Sequence, residues 1–77
     1  MLTGKRFKLN TPTLSIEGVN GTRTAMTLPA GAIIKVVSGP TAGDRMVDVI
    51  WDGKKVEMFA IDLNVRGTEV REERFSA

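Results

Sequence analysis

The 77-residue sequence contains no cysteine, no histidine and no tyrosine, and it has one tryptophan and three phenylalanines. Without cysteine the chain can form neither disulfides nor thiolate metal sites. Without histidine it lacks the commonest metal ligand and the commonest general base of enzymes. A domain this small buries only about 60% of the surface that its unfolded chain exposes. We therefore expect its stability to depend on a well-packed core or on self-association.

Long apolar runs are also missing. The first ten residues contain no apolar run of signal-peptide length, and no stretch approaches the roughly 20 apolar residues of a membrane-spanning helix. The lack of cysteine suits a reducing compartment. The composition therefore predicts a soluble cytoplasmic protein without a membrane partner, a metal site or a resident cofactor.

The charge balance is mildly basic. Eleven Lys and Arg residues against nine Asp and Glu give a net charge of +2, which is too small to indicate nucleic-acid binding by itself. Lys5, Arg6 and Lys8 flank Phe7, and such basic and aromatic clusters occur in barrels that bind nucleic acid. Because aromatic residues are so few, we expect nucleic acid not to be the main partner and keep weak binding as an alternative.

Short runs rich in Val, Ile and Thr, separated by turn residues, are what the chain does contain. Asn20-Gly21 and Asp52-Gly53 are strong hairpin signals, and they join residues 14–19 to 22–28 and residues 46–51 to 54–59. A further strand is predicted at 32–37, with a helical turn at 60–64. These strands predict an all-β domain over residues 1–66, a small and partly open barrel of five strands, followed by a charged flexible tail over 67–77.

The facing of the first hairpin is ambiguous. Leu14, Ile16 and Ala25 share one face, and Met26 and Leu28 share the other. A bulge at Gly18 would reconcile the two sets.

The second hairpin gives a definite facing. A two-residue turn places Trp51 opposite Lys54, with Trp51 partly exposed, and Asp48 opposite Glu57. Val47, Val49, Val56 and Met58 then face inward, as do Ile34 and Val36 of the preceding strand. The outward residues predicted to form an interface are Ile33, Lys35, Val37, Ile50, Lys55, Glu57 and Phe59.

Apolar residues clustered on the outward face of a sheet indicate a contact surface. Ile33, Val37, Ile50 and Phe59 form such a cluster, and three occupants are open: the C-terminal segment folding back, a second copy of the chain, or another molecule. Asp48 and Glu57 form an acidic pair, but with Lys55 on the same face we interpret it as solvated surface. We identify no catalytic residue.

The segments LPAGAIIKVVSG and RMVDVIWDGKKVEMFAIDL resemble those of SH3-like barrels found in short bacterial proteins without assigned activity. The resemblance covers about residues 5–66. It implies a five-stranded SH3-like barrel. Together with the apolar cluster on the outward face, we expect a non-catalytic interaction or assembly module that self-associates through this face as a homo-oligomer.

A more remote resemblance links the strand Val56-Glu57-Met58-Phe59 to type II dihydrofolate reductases, SH3-like tetramers with one shared pore. In that family a Val-Gln-Ile-Tyr strand lines the pore, so the resemblance implies an NADPH-dependent oxidoreductase as the alternative function. Glu57 replaces the glutamine and Phe59 the tyrosine. Four copies of Glu57 around one pore would repel anionic ligands, and Phe59 lacks the polar hydroxyl.

Overall fold

The structure is a computed structural model that describes residues 2–40 and 45–71. Within these ranges lie seven strands and one helix: β1 (Arg6–Leu9), β2 (Thr13–Val19), β3 (Thr22–Leu28), β4 (Ile33–Ser38), β5 (Met46–Trp51), β6 (Lys54–Phe59), α1 (Ala60–Arg66) and β7 (Gly67–Val70). The strands form one antiparallel sheet in the order β3-β2-β6-β5-β4-β1-β7. Among the described residues no pairing joins the end strands, β3 and β7.

The hairpin of β5 and β6 has the predicted register. Trp51 pairs with Lys54 and Asp48 with Glu57. Asp52 and Gly53 have φ values of 52° and 75°, and two successive positive φ values are what a type I′ turn requires. Because a two-residue loop permits only one pairing of the flanking strands, this turn sets the register. The register in turn decides which side chains face inward.

The core lies on the inner face of the curved sheet. Its predicted members are at most 1% exposed: Ile34, Val36, Val47, Val49, Val56 and Met58. The same cluster also contains Phe7 and Leu9 of β1, Leu28 of β3, Leu63 of α1 and Ala32, which precedes β4. Alternate residues of each strand point the other way, which leaves a second, outward face.

The first hairpin resolves the ambiguity without a bulge at Gly18. Its ladder runs unbroken from Thr13 opposite Leu28 to Val19 opposite Thr22, so the suggested bulge is wrong. The irregularity lies instead in β4, where the pairing with β5 shifts between Val36 and Ser38.

In a half-buried strand the aliphatic side chains usually face the core, but in β2 the hydroxyl side chains face it. Thr13 and Ser15 are buried. Thr13 Oγ1 donates a hydrogen bond of 2.9 Å to the carbonyl of Thr11, and Ser15 Oγ donates one of 3.2 Å to the carbonyl of Met26. These bonds satisfy the buried hydroxyls, and the aliphatic residues of the same strand are left facing out.

The all-β class is confirmed, but the sheet has seven strands in the described residues rather than five and does not close. Helix α1 continues beyond the predicted turn at 60–64, with Leu63 buried as expected. Gly67–Val70, the start of the predicted tail, forms β7 against β1. Residues 41–44, between β4 and β5, and residues 72–77 of the predicted tail lie outside the described residues.

Trp51 gives an optical probe of this architecture. It is half-buried and packs against the core, which confirms the predicted partial exposure. A cation–π contact with Lys54, worth about 0.5–1 kcal/mol, stays a prediction. We expect an emission maximum between the buried and exposed limits, quenching by acrylamide, and a shift in the emission of Lys54→Ala. Emission at the buried limit without quenching would contradict this placement.

Candidate functional site

The face of the sheet turned away from the core, named the outer face, carries the residues predicted to form an interface: Ile33, Lys35, Val37, Ile50, Lys55, Glu57 and Phe59. Ile33 is 45% exposed, Phe59 38% and Val37, at the irregularity of β4, 37%. Ile50 is half-buried and lies between Lys35 and Lys55 in the register. Strand alternation therefore brings the predicted residues to one surface.

Strand β2 extends this surface with two aliphatic residues, Leu14 and Ile16, that are not among the residues predicted to form the interface. Ile16 pairs with Glu57, and continuing that antiparallel register places Leu14 opposite Phe59. Leu14 is 45% exposed. The signal that could have found them is the alternation of hydroxyl and aliphatic side chains along β2.

One end of the outer face is apolar. Met46 pairs with Phe59 across β5 and β6. Phe59 and Ile61 line an open cavity of about 450 Å³ together with Arg45 and Ala60, and Ile61 is 66% exposed. We name this region the apolar end, formed by Leu14, Ile16, Met46, Phe59 and Ile61.

The two carboxylates in the middle of the outer face both have partners within the fold. The guanidinium of Arg23 makes an ion pair with Glu57, and Ser38 Oγ donates a hydrogen bond of 2.7 Å to Asp48 Oδ2. Among the described residues, Lys55 makes no ion pair with either carboxylate. An open groove of about 420 Å³ runs beside them, with Gly18 and Lys55 in its lining.

The other end of the outer face is basic. Lys35 pairs with Ile50, which pairs in turn with Lys55, and Lys8 pairs with Ile33. We name this region the basic end, formed by Lys8, Lys35 and Lys55 around Ile33 and Ile50. The three lysine side chains are exposed and make no ion pair or hydrogen bond with any described residue.

Strand alternation divides the N-terminal basic and aromatic cluster. Phe7 is 5% exposed and belongs to the core, so it offers no stacking surface. Arg6 and Lys8 lie on the outer face beside β4, while Lys5 Nζ lies 3.8 Å from Glu69 Oε1. Of this cluster, Lys8 therefore belongs to the basic end, whereas Lys5 pairs with Glu69 and Phe7 belongs to the core.

Strand alternation also divides the four residues that resemble a reductase pore strand, Val56-Glu57-Met58-Phe59, between the core and the outer face. Val56 and Met58 are buried in the core. Glu57 is held by Arg23, and Phe59 lies at the apolar end. Within this chain, then, only two of the four side chains are accessible to a ligand on the outer face.

Comparison with protein-family models, with curated proteins and with solved structures finds no match to this chain. Across the described ranges, no helix has the length and hydrophobicity needed to cross a membrane. The acidic side chains of the same ranges nowhere gather in a group of three that could hold a metal ion.

Proposed function

We propose that the protein is a non-catalytic SH3-like module of the cytoplasm that self-associates through its outer face, with the contact centred on the apolar end. The residues at the centre are Leu14, Ile16 and Phe59. Val37 and Ile50 continue the surface toward β4.

The inverted pattern of β2 carries this proposal. A strand that contributed only to the core of its own chain would bury its aliphatic side chains and expose its hydroxyls. Here Ser15 is buried and Leu14 is 45% exposed. The aliphatic side chains of β2 thus join Phe59 in a patch on several strands, and such patches are typical of contact surfaces.

A second copy is the occupant that fits this patch. A two-fold contact is self-complementary, so the same patch serves both subunits. Leu14, Phe59 and Ile61 are each already partly buried, so covering the rest is worth about 1 kcal/mol per side chain at the usual area coefficient. Since the cost of association is subtracted from this gain, a weak dimer is expected, one that forms only at high protein concentration.

The double substitution of Leu14→Lys and Phe59→Lys should abolish association, because it places two charges on each subunit at the centre of the contact. We expect the wild type to show a mass that rises with concentration in light scattering, and the variant to remain a monomer throughout. The control is Val19→Lys with Ala30→Lys, which adds the same charge at exposed positions outside the apolar end. The control should associate like the wild type.

A wild type that shows the mass of a monomer at every concentration up to about 1 mM, where half-association corresponds to about −4 kcal/mol, would overturn the proposal. The same measurement with NADPH separates this module from the reductase-like alternative, which requires a tetramer that binds the cofactor. Tetramers that bind NADPH would favour that alternative instead.

A further inference from the structure

We infer that β3 is a further interaction surface, whose free edge pairs in antiparallel register with β3 of a second copy across a two-fold axis at Ala25. This contact extends the sheet sideways, whereas the contact proposed at the apolar end covers its outer face. The inference therefore does not rest on the proposed function, and its test is made with the contact at the apolar end removed.

The free edge of β3 presents a row of backbone hydrogen-bond groups. Among the described residues β3 ends the sheet and pairs with β2 alone. The Asn20-Gly21 turn has φ values of 52° and 81°, as a type I′ turn requires, so Val19 and Thr22 form the hydrogen-bonded pair that closes the hairpin. Hydrogen-bonded and non-hydrogen-bonded pairs then alternate along the ladder. The residues whose N–H and C=O groups point away from β2 are Arg23, Ala25 and Thr27.

Strand β3 lacks the features that usually keep an edge strand from pairing, such as prolines, lysines and bulges. It has seven residues, TRTAMTL, and its ladder with β2 is unbroken. Its one charged side chain, Arg23, crosses β2 to make an ion pair with Glu57 of β6, so the charge lies away from the free edge. The other end strand, β7, has four residues and carries Glu69. Of the two edges, β3 is therefore the one suited to accept another strand.

The number of hydrogen bonds decides the register of the pairing. With the two-fold axis at Ala25, this residue lies opposite itself, and Arg23 lies opposite Thr27 of the second copy. All three residues with outward groups are then paired, which gives six hydrogen bonds between the two strands. Moving the axis by one residue in either direction leaves the third residue opposite the hairpin turn or opposite Pro29, which has no N–H.

The side chains along this edge favour a second copy over a foreign peptide. A peptide that adds a strand is recognised through pockets for its alternate side chains, but the exposed residues Thr24, Ala25 and Thr27 are too short to form such pockets. In the two-fold pairing Arg23 faces a neutral residue, so no like charges are opposed. Met26, which is half-buried and packs against the core, lies opposite Thr24 of the second copy and becomes better covered.

The edge contact alone is expected to be transient. Its hydrogen bonds replace hydrogen bonds to water, and the side chains concerned are small, so little apolar surface is covered to offset the cost of association. Trapping by a disulfide is therefore the suitable measurement. The chain contains no cysteine, so one introduced cysteine is the only thiol and reports how closely its position approaches the same position in a second copy.

The trapping experiment uses chains that carry Leu14→Lys and Phe59→Lys, which remove the contact at the apolar end. In the pairing about Ala25, the two Cα atoms of Ala25→Cys lie about 5.5 Å apart, a distance that a disulfide spans. The control is Thr27→Cys, on the same strand and face, whose two Cα atoms lie about 14 Å apart. Because paired thiols meet at a high effective concentration, we expect Ala25→Cys to form cross-linked dimers at least about tenfold faster than the control.

Mixtures of two variants test the register. Arg23→Cys and Thr27→Cys should each cross-link slowly alone, but together they should give mostly the mixed dimer, which mass spectrometry resolves. Adding Ala25→Pro should lower the rate of the mixed dimer to that of the single variants, because proline lacks the N–H at the centre of the contact. Proline is tolerated in an edge strand where the N–H faces outward, and circular dichroism verifies the fold. The matched control Ala25→Val keeps this N–H and should retain the mixed dimer.

Three results would overturn the inference. One is equal rates for Ala25→Cys and Thr27→Cys, which would leave the edge to a strand of another protein. Another is a mixed dimer that forms as fast in the folded Ala25→Pro variant, which would mean that the thiols meet without strand pairing. The third is faster cross-linking of Ala25→Cys to a Glu69→Cys chain than to itself, which would place β7 on this edge. Since every variant lacks the contact at the apolar end, these outcomes are independent of the light-scattering result.

Discussion

Replacing Leu63 by Ala is expected to lower the free energy of unfolding by about 2–5 kcal/mol, as for other buried leucines. Leu63 is fully buried and is the one residue of α1 inside the core. A helix of seven residues is not stable by itself in water, and its N-cap, Phe59, makes no side-chain capping hydrogen bond. The position of α1, and of β7 that follows it, therefore depends on this side chain.

The measurement is thermal and urea denaturation followed by circular dichroism. For a domain of this size a loss of 2–5 kcal/mol lowers the melting temperature by more than about 8 °C. The matched control is Val65→Ala, two residues further along the same helix and 68% exposed, which should change stability by less than about 0.5 kcal/mol. Equal effects of the two substitutions would mean that α1 does not pack as described.

The substitution Gly53→Val is expected to give the second large loss of stability, because of the backbone conformation at this residue. Gly53 has a φ of 75°, and a β-branched residue resists that region strongly. A Cβ at Gly53 would meet nothing within 4 Å, so crowding contributes nothing. We expect a loss of about 1–3 kcal/mol from backbone strain, a substantial share of the stability of a small domain.

Gly18→Val is the matched control for this prediction. A Cβ at Gly18 would also meet nothing within 4 Å, and its φ lies outside the positive region. Valine is favoured in strands, so Gly18→Val should leave the melting temperature unchanged or raise it slightly. An unchanged melting temperature for Gly53→Val would mean that the turn in solution is of another type.

The outward residues of β5 and β6 include both charged and apolar side chains, and the two regions of the outer face explain why. Phe59 belongs to the apolar end, together with aliphatic side chains of β2. Ile50 lies between Lys35 and Lys55 in the register, and long lysine stems cover apolar neighbours while their charges remain in water. The two residues therefore belong to different regions of one face, and we propose that the apolar end acts in self-association.

The second hairpin shows what could be predicted from sequence. The register of Trp51 with Lys54 and of Asp48 with Glu57 follows from the Asp52-Gly53 turn, because two residues allow one way of closing the ladder. Inward and outward sets follow from the register by the period of two. This register places Ile50, Lys55, Glu57 and Phe59 of the candidate site on the outer face. The facing of Ile33, Lys35 and Val37 follows separately, because a charged Lys35 is expected to point outward.

The first hairpin shows what could not be predicted from the sequence. Its Asn20-Gly21 turn sets the pairing, but pairing does not say which face meets the core. Two hydroxyl residues face inward because backbone carbonyls satisfy them, and that depends on neighbours supplied by the folded sheet. Leu14 and Ile16 were therefore not assigned to the outer face.

By itself, then, the sequence determined the two hairpin turns, the register of the second hairpin and the all-β class, because these depend on residues close together in the chain. Only the tertiary structure decided the pairing of β7 with β1, in which Phe7 lies opposite Glu69, and the facing of β2. It also decided the separation of the outer face into an apolar and a basic end. These features depend on contacts between segments far apart in sequence. Such contacts form only when the apolar surface buried in the folded sheet offsets the entropy lost by closing the chain between the segments.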